Sequence, residues 1–165
     1  TTILGKNPQV VFCPNYYQDV GQILAQAESI GLTVPFLGGD GWDGLEGYAT
    51  ADQLKDAYFC ANYAKGSSTE FESAYKEKYG EDYPNGFAPL GYDAAMTVVY
   101  GLQAAEDAGL EAGTDEYKQA VIDAIASGTI DGITGTFTFD EHHNPVKQTA
   151  ILCFDGATPV LKEMF

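Results

Sequence analysis

The chain has 165 residues, 24 of them acidic and 8 basic, for a net charge of −16. Every basic residue is a lysine, so the two-pronged arginine grip on phosphate or carboxylate is missing. Nucleic acid and anionic membranes therefore meet a repelling surface, and both partner classes are disfavoured.

The chain opens at Thr1-Thr2-Ile3-Leu4 without a basic start or signal-like apolar run, as expected of a processed chain or a piece of a longer one. Pro8–Cys13 is apolar and ends at Pro14-Asn15, which predicts a short strand and a turn. From Tyr16 the period becomes helical, with Val20, Ile23, Leu24, Ala27 and Ile30 on one stripe and Gly31 as the stop. Val34-Pro35-Phe36-Leu37 supplies a second strand. Strand, helix and strand at this spacing form a βαβ unit with parallel strands and a right-handed crossover.

The stretch Leu45–Asp56 reads as polar, and Ala57–Tyr63 as a third strand. Ser67 and Glu70 have capping-box spacing ahead of a helix through Tyr79, with Phe71, Ala74, Tyr75 and Tyr79 on its apolar face. A long helix follows from Phe87 or Ala88 to Ala108, with Leu90, Ala94, Val98, Leu102 and Ala105 in register and Tyr92 in its core. Thr114 caps a further helix that Gly128 ends. From Ile133 the period becomes two, and Asp155-Gly156 marks a hairpin, so the tail is antiparallel. Cys13, Cys60 and Cys153 each lie in an apolar run and read as buried, and their odd number argues against a disulfide framework.

Functionally, the chain is organised around Leu37-Gly38-Gly39-Asp40-Gly41-Trp42-Asp43-Gly44, which follows the second strand. In an open α/β sheet, ligands bind beyond the carboxyl ends of the strands. Parallel neighbours end at one edge, so the loops Pro14–Tyr17 and Gly38–Gly44 open on the same side. Tyr16 and Asp40 then face one crevice, a phenol and a carboxylate suited to a cationic amine.

Gly39–Gly44 also spells G-x-G-x-x-G, but two aspartates and no nearby cation oppose a dinucleotide pyrophosphate. Asp40 and Asp43 lack calcium-loop spacing, and His142-His143 point apart on extended chain. No nucleophile with a nearby base emerges. The expectation is a binding protein, not an enzyme, without cofactor, metal or catalytic residue.

Four segments together resemble a known family: Phe12–Asp19, Leu37–Asp43, Phe87–Ala95 and Gly132–Asp140. They are similar, in order and spacing, to extracytoplasmic solute-binding proteins of type I periplasmic-binding fold, in the branch binding leucine, isoleucine and valine. The resemblance implies an α/β fold with a parallel βαβ core, helices on both faces and antiparallel carboxyl-terminal strands, present here in part. It implies a carboxyl-terminal half whose amino-terminal counterpart lies elsewhere, with ligand held between two closing lobes. On that division, 1–57 belong to the carboxyl-terminal lobe, 58–132 to a hinge strand and the amino-terminal lobe's helices, and 133–165 to the hinge return and tail strands.

By position, Tyr16 and Asp40 match family residues that meet the ligand's amino group, and Phe87 an aromatic position lining the side-chain pocket. Trp42 is a candidate wall of the same pocket. The implied ligand is an amino acid with an apolar side chain, and the implied partner is an ABC-type membrane permease, in the periplasm or outside the cell. A sensory ligand-binding domain on the same fold is the alternative. Alone, the chain is expected to bind weakly and to self-associate, because its apolar faces lack cover.

Overall fold

The computed structural model describes residues 2–165. The chain divides into two compact units: residues 1–65 with 149–165, and residues 66–148. The sequence division instead returned the chain near Gly132–Phe137; the return falls at residue 149 because strands within 130–146 pair only with each other.

The first unit is a five-stranded sheet in the order β1-β2-β3-β7-β8, built from Val11–Phe12, Phe36–Gly38, Ala57–Ala61, Ala150–Asp155 and Thr158–Met164. β1, β2 and β3 are parallel neighbours, whereas β7 runs antiparallel to β3 and to β8. The βαβ and hairpin expectations hold, with shorter strands: only Val11 and Phe12 of the first apolar run pair with β2.

Helix α1 (Tyr17–Ser29) crosses between β1 and β2 and buries Val20, Leu24 and Ala27, which recur along one stripe. Its stop is Gly31, at φ +72. The interval read as polar is part of the core: Leu45 and Leu54 are fully buried. Leu54 closes a one-turn helix, α2 (Ala51–Leu54), opened by a reciprocal capping box between Thr50 and Gln53. In β3 the alternation is regular, with Ala57, Phe59 and Ala61 buried and Cys60 exposed. All three cysteines are free thiols; Cys13 is buried, Cys153 half-buried and Cys60 exposed, since its strand position points away from the core.

The second unit holds α3 (Thr69–Tyr79), α4 (Phe87–Asp107), α5 (Asp115–Ser127) and a three-stranded antiparallel sheet of β4 (Ile130–Gly132), β5 (Gly135–Phe139) and β6 (Pro145–Val146). α3 is capped by Ser68, not Ser67: the Ser68 hydroxyl accepts from the Phe71 amide at 3.3 Å. The buried stripe of α4 is Pro89, Asp93, Gly101 and Ala105, one position before the expected one. α4 is apolar nearly all round, so periodicity does not choose its inner face. Close approach of α5 does: a Cβ on Gly101 would meet Ile125 and Val121 side chains at 2.8–2.9 Å. Tyr92, expected in the core, is half exposed and meets only the Phe71 ring edge-on, 5.8 Å between centroids. No helix among the described residues is long and apolar enough to cross a membrane.

Candidate functional site

The site expected from sequence lies at the carboxyl edge of β1 and β2. Their parallel register pairs Val11 with Phe36 and Phe12 with Leu37, and the Cys13 amide donates to the Leu37 carbonyl at 2.8 Å. Both chains leave the sheet there. β1 runs through Pro14 and Asn15 to Tyr16, whose extended backbone forms the N-cap of α1. β2 runs through Gly39 into a single 3-10 turn, Asp40–Trp42, closed by the Asp43 amide donating to the Asp40 carbonyl at 3.1 Å.

Trp42 fastens the two loops together. Its indole folds back over Gly38, where a Cβ would fall inside the ring, so only glycine admits it. The indole Nε1 donates to the Cys13 carbonyl at 3.0 Å, and the ring lies 6.3 Å from that of Phe59. Trp42 is fully buried and has no surface left to touch a ligand, so it braces the mouth from beneath instead of walling a pocket. Burial also pushes the Cys13 thiol above its ordinary range, which keeps it protonated and poorly nucleophilic.

Above this brace the loops touch. A Cβ on Gly41 would sit 3.2 Å from the Asn15 carbonyl and 3.3 Å from Cδ1 of Tyr16. The residue next to Asp40 therefore abuts the Tyr16 ring. Tyr16 and Asp40 are both exposed, and among the described residues no hydrogen bond or ion pair engages the Tyr16 hydroxyl or the Asp40 carboxylate. Tyr17 stands behind them, its ring 5.1 Å from that of Tyr48. Phe87 belongs to the other unit; it begins α4 after the Asn85 side chain accepts its amide at 3.1 Å, and its ring is exposed.

A second polar centre, not anticipated from sequence, lies within the second unit. Asp93 is 3 % exposed and spends its carboxylate on the turn between β4 and β5. Oδ1 accepts from the Ile133 amide at 2.8 Å, while Oδ2 accepts from the Thr134 amide at 2.9 Å and its hydroxyl at 2.6 Å. Lys147 donates to the same hydroxyl and lies 5.7 Å over the Phe137 ring. Burial lowers the Lys147 pKa from its ordinary value, an effect that the Asp93 charge partly offsets. Two of the segments quoted for the resemblance, Phe87–Ala95 and Gly132–Asp140, thus meet through one carboxylate. The only signal in the sequence is an aspartate inside an apolar helical run.

Parallel strand ends, a braced loop pair and an uncommitted phenol and carboxylate define an α/β small-molecule binding module. Residues 1–157 match the model of the periplasmic binding protein family, and the chain belongs to that family. The fold is that of its type I members. A leucine-binding protein, LivK, from Thermotoga maritima superposes with a TM-score of 0.79 at 23% identity, over 99% of this chain and 46% of its own. LivJ from Streptococcus pneumoniae, a branched-chain amino-acid transporter substrate-binding protein in complex with isoleucine, gives 0.68 at 26% identity, over 94% and 43%. An ABC-transporter solute-binding protein from R. palustris, in complex with benzoate, gives 0.72 at 19% identity, over 99% and 44%. The chain thus spans less than half the length of these proteins. No curated protein matches it.

Proposed function

We propose that this chain is the carboxyl-terminal portion of an extracytoplasmic solute-binding component of an ABC importer, and that it recognises an amino acid with an apolar side chain. The observation that carries the reading is the contact of Gly41 with the Tyr16 ring, which sets the neighbouring Asp40 carboxylate beside an aromatic face at one sheet edge. A charge-assisted hydrogen bond from an ammonium to Asp40 contributes about 1.5–3 kcal/mol. Tyr16 adds a ring face or a hydroxyl to the same group. Benzoate, the ligand of one structural neighbour, has a carboxylate and no amine. Asp40 would repel it, which favours the amino acid. Phe87 is assigned to the ligand's side chain, the ligand's carboxylate to donors outside these residues, and delivery to a membrane permease.

Isothermal calorimetry of the full-length protein with leucine and isoleucine tests this. Asp40→Ala is expected to weaken binding tenfold or more with the circular-dichroism spectrum unchanged. Unaltered affinity would remove Asp40 from the site and the reading with it.

A further inference from the structure

The five-stranded sheet has two unlike faces. Ala57, Phe59, Ala61 and Leu152 point into the core shared with Leu24 and Ala27 of α1 and Leu54 of α2. Directly opposite residues of neighbouring strands share a face. The alternate positions therefore form one continuous row: Phe12 beside Leu37, Leu37 beside Tyr58, Tyr58 beside Cys153, and Cys60 beside Ile151. None of these six is charged. Phe12 is 67% exposed, Leu37 39%, and Cys60 also lies open. The one cation recorded over the row is Lys162, whose Nζ lies 5.2 Å above the Tyr58 ring.

We propose that this bare face is a docking surface for amphipathic helices supplied by polypeptide of the same protein outside these 165 residues. Three observations select that occupant. Parallel strands are stable when helices cover both faces of the sheet. Here α1 and α2, from the two crossovers between parallel strands, contribute to the same core and leave the other face bare. The structural relatives are more than twice as long, so over half of each has no counterpart in this chain. A second copy fits less well, since each chain carries −16 and the neutral row offers nothing to offset that repulsion.

Cys60 and Cys153 lie in the row and Cys13 lies in the core, which gives a built-in measurement independent of ligand. Alkylation by iodoacetamide, followed residue by residue by mass spectrometry, compares the 165-residue chain with the full-length product of its gene. Cys60 and Cys153 are expected to react readily in the short chain and at least tenfold more slowly in the longer protein, with Cys13 slow in both. Equal Cys60 rates in the two proteins would overturn the proposal. So would slow Cys60 labelling in a short chain that sediments as a monomer, which means cover from within. Slow labelling that appears only as a dimer forms would assign the face to a second copy. A gene product with no further helices would overturn it as well.

Discussion

The two compact units are held together by different means. In the first, large apolar side chains are withdrawn completely from water: Trp42, Phe59, Leu45, Leu54 and Val20 meet between one sheet face and the helices. In the second, α3 buries nothing, and α4 buries a proline, an aspartate, a glycine and an alanine. Its cohesion comes from glycine-mediated contact between α4 and α5, from rings around Phe71, and from Asp93 gripping the β4–β5 turn. Volume stabilises one unit and a satisfied polar centre the other. Substitutions in the two should then differ in kind as well as in size.

The largest effect is expected from Trp42→Ala. Removing a fully buried indole costs about 3–5 kcal/mol, because the space left behind closes only in part. Urea denaturation followed by circular dichroism measures the loss, and amide exchange should place it in the sheet around Cys13 and Leu37 while Ile133 and Thr134 stay protected. Equal loosening of both regions would mean that the units do not fold separately.

Asp93→Ala comes next. It leaves the Ile133 and Thr134 amides without an acceptor, at about 1–3 kcal/mol for each group that stays buried. Faster exchange at those two amides, with Cys13 unchanged, is the expected signature. An unaffected β4–β5 turn would show that the carboxylate is not what holds it.

The smallest effect concerns pH. Because Lys147 titrates below its ordinary value when folded, the unfolded chain binds more protons between that lowered value and 10.5. Through this residue, stability rises with pH across that window. Lys147→Met should flatten the rise, read as the difference between wild-type and variant unfolding midpoints from pH 8 to 11. A difference independent of pH would leave Lys147 with a packing role only.

How much of this was legible in the residues follows from the range of each interaction. The convergence of Tyr16 and Asp40 depends on a strand–helix–strand order that local periodicity carries, and the parallel register delivers it. The cap at Ser68, one residue past the expected Ser67, turns on backbone angles that composition does not encode. Asp93 stayed hidden because its partners are 40 and 41 positions away and belong to a turn. For α4, an apolar surface on every side concealed which stripe faced inward, and Gly101 decided it through space for Ile125. Leu45 and Leu54 were overlooked because two isolated apolar residues among polar ones have no period to betray them.

The sole tryptophan of the chain lies directly beneath the mouth, hydrogen-bonded to the loop that presents Tyr16. Its fluorescence is consequently an optical gauge that needs no label. A shift of the two loops by even a fraction of an ångström alters the indole's surroundings, so titrating amino acids into the unmodified protein should register occupancy as a change in emission colour or intensity.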